Sequence, residues 1–380
     1  MDITQLPFNA DAMLSGLRPW VEIESPTFEA GRVNAMLDYV ARGCAVSGAV
    51  IERIAGRMGF GDCVRATFSF GHEAKPGVLI MGHLDTVHPV GTLNALPWRR
   101  QENRCYGPGI FDMKGGNYIA LEAVRMLQRL GLSPALPVTF LFTSDEEVGS
   151  PSTRDLIEAE AVRHKYVLVP EPGRADGGVV TGRYAIARFN LKATGRPSHA
   201  GARLKEGRSA IRIMADMIPQ IEGMTTDACT FSVGVVHGGR WVNCVASACE
   251  GETLSMAKRQ ADLDGGVQRM LALTKGDDES GRFIVTRGVT RPVWEPNDKT
   301  MALYEVARRL ARQLGVDLPH ESSGGGSDAN FTGNLDIASL DGLGVCGAGA
   351  HTLDEHILVE SLPERAKLLT GLLMELDRRP

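Results

Sequence analysis

The sequence predicts an α/β protein in two parts, on three observations. Short apolar runs that end in loops carrying acids or histidine recur along the first half of the chain. Stretches with helical apolar spacing lie between them. From about residue 183 the texture shifts to longer strand-like runs interleaved with helices in the order β-α-β-β-α-β. Strands alternating with helices indicate a largely parallel sheet, and ligands of such sheets gather beyond the carboxyl ends of the strands.

The first run, Val78 to Met81, is a buried strand leading through Gly82 into HLDTVHPVG. Asn117 to Leu130 places Ile119, Ala120, Ala123, Val124 and Leu127 at helical spacing, and Gly131 follows as a stop. Val138 to Thr143 is a second strand and runs into SDEEVGS. Tyr166 to Val169 is a third and runs into PEPG. The second part begins with the β-rich run Arg183 to Ala193 and a helix from Gly207 to Ile218. Strand-like runs at Thr230 to Val236 and Ala246 to Ala257 follow, then a helix near Leu263 to Leu273 and a last strand at Arg282 to Thr286. That order matches a ferredoxin-like sheet able to fold as an insert. The insert is placed at residues 183–293, inside a discontinuous domain made of 1–182 and 294–380. The latter segment holds a helix at Thr300 to Leu314, the glycine-rich SSGGGSDAN loop and a terminal helix at Glu360 to Leu376.

Composition narrows the function. The 380 residues are 43% hydrophobic, enough for two cores, and 41 Lys plus Arg against 46 Asp plus Glu leave a net charge of -5. No basic stripe suits a nucleic acid. The opening MDITQLPFNADAML has an acid where a secretory signal starts basic, and no run approaches the roughly 20 apolar residues of a membrane span. A cytoplasmic location with no membrane partner is expected. The seven cysteines are an odd number without C-x-x-C spacing, and read as reduced thiols.

Four clusters at strand ends carry the chemistry. In His83-Leu84-Asp85 the first and third residues share a side in extended backbone, so His83 can bind a metal through one ring nitrogen while Asp85 accepts from the other. Asp112 lies in GPGIFDMKGG, where glycines let the backbone bend closely. Glu146-Glu147 is a carboxylate pair that repels itself until a cation arrives, and Glu171 sits in PEP. Histidine with carboxylates and no thiolate suits zinc, with Co2+ or Mn2+ as alternatives.

The runs GHLDTV, YGPGIFDMKGG, TSDEEVGS, PEP, RPSHAG and GAGAH, in that order, closely resemble the zinc peptidase family of glutamate carboxypeptidase, acetylornithine deacetylase and succinyl-diaminopimelate desuccinylase. Within it the bacterial glutamate carboxypeptidases look nearest. The resemblance implies a zinc-peptidase-like α/β/α catalytic domain with an inserted ferredoxin-like βαββαβ dimerisation (lid) domain. It implies two Zn2+ per subunit, one held by His83 and Glu171, the other by Glu147 and His351, with Asp112 bridging and a cis peptide at Asp112-Met113. Glu146 is then the general base toward the attacking water. His199 of RPSHAG and Asn243 of WVNC match positions that reach a partner's active site in a homodimer, where both can donate to the oxyanion. Arg291 of TRPV matches the arginine that holds the substrate carboxylate, with Arg287 as a rival, and Gly324, Gly325 and Gly326 offer backbone donors to the same group.

The expected activity is cleavage of an amide bond next to a free carboxylate, on a small N-acyl or N-aryl amino acid or peptide. Two alternatives stay open: a deacylase or aromatic aminohydrolase on the same metals, and an inactive metal-binding dimer scaffold. Where relatives often carry Asp-x-Arg, this chain reads Leu254-Ser255-Met256. His88, His237, His320 and His356 are assigned no site role. Glu355 is read as an acid adjoining the site.

Overall fold

The structure is a computed structural model and describes residues 1–71, 76–277 and 281–378, so positions 379–380 of the expected 294–380 segment lie outside the described residues. Two compact units emerge. One comprises Met1–Gly182, Glu295–Ser323 and Ser327–Pro380, the other Arg183–Trp294 with Gly324–Gly326.

The first unit is organised by a six-stranded sheet in the order Val50–Ile54, Cys63–Phe68, Val138–Thr143, Val78–His83, Tyr166–Leu168, Ala338–Leu340. The last four run parallel, while the first two are antiparallel to their neighbours. Every residue of Val78–His83 and Val138–Thr143 is buried, as unbroken apolar runs require when helices cover both faces. Register then fixes the site. His83 pairs with Thr143 and Ile80 with Leu168, so the loops bearing His83, Glu146-Glu147 and Glu171 leave the same edge within a few residues of one another.

The helix Gly115–Arg129 is buried without a break from Gly115 to Val124, which makes it an interior helix rather than an amphipathic surface one. Trp20, on the helix Ala10–Glu22, meets Tyr118 edge to face at 5.8 Å. A smaller sheet pairs Arg104–Tyr106 with His356–Leu358, and the latter with Gly347–Ala348. It brings the hairpin carrying His351 beside the turn carrying Asp112.

The second unit is a five-stranded antiparallel sheet ordered Cys229–Gly238, Ala248–Ala257, Ala185–Thr194, Gly281–Arg291, Lys275–Asp277, with helices Ala210–Glu222 and Gln260–Leu271. Along Ala185–Thr194 burial alternates with period two, and the inward face packs with Met214, Met217, Leu263 and Met270 of the helices in one core. Lys275–Asp277 is an added hairpin strand beyond the six expected elements. All seven cysteines are free. Among the described residues no helix is long and apolar enough to cross a membrane.

Candidate metal centre

Asp112 is the hub. Its Oδ1 lies 3.2 Å from His83 Nε2, and its Oδ2 lies 3.2 Å from His351 Nε2. On one side of this carboxylate, Glu171 and Glu146 come within 3.8 and 3.9 Å of His83 Nε2. On the other, Glu147 Oε2 lies 3.1 Å from His351 Nε2. Bonds of about 2 Å to one tetrahedral ion hold ligand atoms roughly 3.3 Å apart, so these spacings match a shared cation. The peptide Asp112-Met113 is cis.

Each ligand is aimed by the backbone around it. His83 Nδ1 lies 2.9 Å from the carbonyl oxygen of Asp85. A carbonyl only accepts, so Nδ1 carries the proton and Nε2 is left for the site. The Asp85 carboxylate, expected as the partner of that nitrogen, is farther away at 3.5 Å. It also accepts from the amides of Glu146 and Glu147, both at 3.3 Å, and from the Thr27 hydroxyl at 2.8 Å. Asp85 therefore orients the carboxylate pair more directly than the histidine, because the extended H-x-D turn presents its carbonyl to the ring. His351 stands at a hairpin tip with φ of +64°, half-exposed, where its imidazole reaches over the cluster.

Burial with like charges sets the electrostatics. Glu171 is pushed well above the usual carboxyl range by burial and by Asp112 and Glu146 beside it. Glu147 is raised as well, chiefly by burial. Burial would raise Asp112 too, but the imidazoles of His351 and His83 beside it hold it well below. Its imidazole partners respond in kind: Asp112 and Glu147 push His351 up to about 10. So many carboxylates at one buried point call for positive charge, and a divalent cation supplies it. Glu147 Oε1 adds a specific vacancy, being buried with no hydrogen-bond partner among the described residues. A buried carboxylate oxygen left so is costly unless it binds an ion. The donor set fits a divalent cation.

The residues expected to bind substrate or act across a dimer lie in the second unit. His199 is exposed, and its Nδ1 accepts from the amides of Gly201 and Ala202 at 3.1 and 3.0 Å, so Nε2 carries the proton and faces outward as a donor. Asn243 is exposed on the neighbouring loop, its carbonyl taking the Ala200 amide at 3.0 Å. Arg291 is buried at the end of its strand, whereas its rival Arg287 is exposed and tied to Thr290. Gly324–Gly326 cluster with Arg291: a Cβ on Gly326 would lie 2.6 Å from Ile186 and 2.9 Å from the Arg291 side chain. Arg183, which the sequence did not single out, donates to the Gly325 carbonyl at 2.7 Å. His88, assigned no site role from the sequence, bonds Glu355 at 2.6 Å through Nε2.

Residues 79–375 match the family model described as peptidase family M20/M25/M40. The chain belongs to that family. It is 29% identical to carboxypeptidase G2 of Pseudomonas sp. (strain RS-16), over 96% of this chain and 89% of that one. It is also 29% identical to the N-acetyl-L-citrulline deacetylase of Xanthomonas campestris pv. campestris, over 76% and 79% of the two chains. An M20 family metallo-carboxypeptidase from Sulfolobus solfataricus shares the fold, with a TM-score of 0.76 at 15% identity over 95% of this chain and 98% of that one. Membership of M20/M25/M40 makes the protein a hydrolase of C–N bonds, a metallohydrolase acting on amides, and implies a divalent metal for the cluster around Asp112. The M20 fold accounts for both units, a mixed α/β body and a smaller antiparallel one.

Proposed function

We propose that the protein is a cytoplasmic homodimer that cleaves the amide bond of a small N-acyl or N-aryl amino acid, or of a short peptide, beside a free carboxylate, in the manner of a glutamate carboxypeptidase. The observation that carries the reading is the Asp112 carboxylate, with one oxygen toward His83 and the other toward His351. That arrangement suits two cations, zinc by the donor set. His83 and Glu171 would hold one, Glu147 and His351 the other, and Asp112 would bridge. Cations held by these residues would supply Lewis-acid polarisation of the scissile carbonyl and of the attacking water.

The protein's own residues do the rest. Glu146, tethered through its amide to Asp85 and partly open to solvent, takes the proton from the attacking water and delivers it to the departing nitrogen. Its adjacency to Glu147 keeps it at the cluster, 3.9 Å from His83. Arg291, with the amides of Gly324, Gly325 and Gly326, holds the substrate carboxylate. His199 and Asn243 of a second copy donate to the developing oxyanion. Likeness to carboxypeptidase G2 over nearly the full chain supports the carboxypeptidase reading. Equal identity to a deacetylase favours, as a second reading, removal of a small acyl group on the same centre.

Glu146→Gln tests the assignment. Hydrolysis should fall at least about 100-fold, in line with removal of a general base, while about two zinc ions per subunit remain bound. Wild-type turnover in that variant would refute the base. Acyl-glutamates, acyl-ornithines and aryl amides assayed side by side separate the two readings, and silence on every amino acid amide would refute both.

A further inference from the structure

Glu355 is fully buried and gathers four donors on one carboxylate. Its Oε1 accepts from the amides of Phe111 and Asp112 at 2.9 and 3.0 Å. Its Oε2 accepts from the amide of Gly109 at 2.9 Å and faces His88 Nε2 at 2.6 Å. The Glu355 carbonyl also takes the Gly107 amide at 3.3 Å. The turn that presents Asp112 is thus wrapped around this single side chain. Glu355 belongs to the hairpin between Gly347–Ala348 and His356–Leu358, whose tip is His351. That hairpin is itself set tightly, since a Cβ on Gly349 would lie 2.5 Å from the Asp354 carbonyl oxygen. Two segments that are distant in sequence, one ending in Asp112 and the other bearing His351, are therefore stapled by one carboxylate beneath the point where Asp112 Oδ2 meets His351 Nε2 at 3.2 Å.

We infer that Glu355, seated by His88, is a positioning residue that sets the distance between Asp112 and His351 and thereby the affinity of the centre for its second divalent cation. The inference rests on the two-cation reading proposed above. Charge-assisted bonds from buried amides to a carboxylate are among the stronger ones a protein makes. In Glu355→Gln the side-chain amide must turn its own donors toward one of the two donor pairs, so that pair loses its acceptor and the turn loosens from the hairpin. The cation held by His83 and Glu171 depends less on this staple than the one needing His351.

The test is a titration of metal-free protein with Zn2+ against a competing chromophoric chelator, with the thermal midpoint and kcat and KM followed in parallel. Wild type should take up two equivalents. Glu355→Gln should keep the first near wild-type affinity and bind the second roughly 10- to 100-fold more weakly, the usual effect of removing an outer-shell partner. At limiting zinc its kcat should fall and recover as zinc is added, with KM little changed. His88→Ala leaves the three backbone bonds in place and should show the same loss in milder form, so it carries the test if Glu355→Gln does not fold. A lowered thermal midpoint with the second equivalent bound as in wild type would overturn the inference, leaving Glu355 a merely structural residue. Wild type that binds fewer than two equivalents would instead sink the two-cation reading, and the inference with it.

Discussion

Gly116→Ala asks whether the position of Glu171 depends on how closely two backbones approach. Gly116 lies in the first turn of the helix that follows Asp112, and a Cβ built there falls 1.8 Å from the Pro170 carbonyl oxygen. Ordinary contact needs roughly 3.3 Å or more, leaving roughly 1.5 Å to be made up. Gly344 also passes close to the Pro170-Glu171 peptide, with a hypothetical Cβ 2.4 Å from the Pro170 oxygen and 2.6 Å from that of Glu171. Either that peptide or the helix must move, and the helix begins three residues after Asp112. Either shift changes the geometry between Asp112 and Glu171 by far more than coordination bonds of about 2 Å tolerate. Overpacking of this kind costs about 1 to 3 kcal/mol, offset in part by the helix preference of Ala over Gly. At about 2 to 4 °C per kcal/mol for a domain of this class, the thermal midpoint should drop by a few degrees. Zinc affinity of the His83 and Glu171 position should weaken at least about tenfold. Gly31→Ala is the control, since nothing lies within 4 Å of a Cβ there, and it should leave both readings unchanged or slightly raise the midpoint. Calorimetry with zinc titration decides the matter. A Gly116→Ala protein that melts and binds zinc like wild type would refute the reasoning.

Two further perturbations act on charge. In Asp85→Asn the side-chain amide must point a donor at the Glu146 or Glu147 amide or at the Thr27 hydroxyl, leaving a buried donor unpaired at about 1 to 3 kcal/mol. Turnover or zinc affinity should fall about 10- to 100-fold, and full retention of both would show that the carboxylate pair is oriented by other means. Glu160, away from the centre, is buried. Burial alone would raise its carboxyl, but the hydrogen bond to His164 and the charges of Arg65 and Arg163 outweigh that and lower it. A lowered folded value means stability that is present above the unfolded carboxyl range, near pH 4.3, and lost as pH falls through the folded value. Wild type should therefore melt higher than Glu160→Gln at pH 7, with the gap narrowing below about pH 4. A gap that stays constant across that range would contradict the linkage.

What the sequence makes legible, and what it hides, follows from the kind of interaction involved. Val78–His83 and Val138–Thr143 stand out because strands buried on both faces are written as unbroken apolar runs, and the acidic motifs are conspicuous at their ends. Residues 1–77 yield no assigned element, although they form helices Ala10–Glu22 and Ala30–Val46 and an antiparallel strand pair. Gly16 and Pro19 interrupt the helical pattern of the first helix. The edge strand Val50–Ile54 shows no clear alternation because only Ile51 and Ile54 are partly buried, and the charged Glu52 and Arg53 guard that edge. The SSGGGSDAN run is legible only as a glycine-rich loop with amides to offer; that Ala329–Asn334 turns helical at its end and that Arg183 holds the Gly325 carbonyl are written in no local pattern.

The same contrast divides the centre. Groups that carry charge toward a cation must be His, Asp or Glu, so His83, Asp112, Glu146, Glu147, Glu171 and His351 leave residue-type signatures that motif spacing can collect. Groups that hold those residues in place work largely through main-chain amides and carbonyls, which every residue has and no sequence marks. Glu355 illustrates the point. Its local signal is a four-residue spacing after His351, while three of its four donors are amides more than 240 positions away. Gly116 and Gly344 are equally silent, since their function is to lack a side chain where Pro170 and Glu171 pass. Chemistry at this centre is thus assigned by side-chain type and its geometry by backbone contacts. Substitutions at Glu355 and Gly116 are for that reason the sharper probes: they leave every candidate ligand in place and alter only the distances among them.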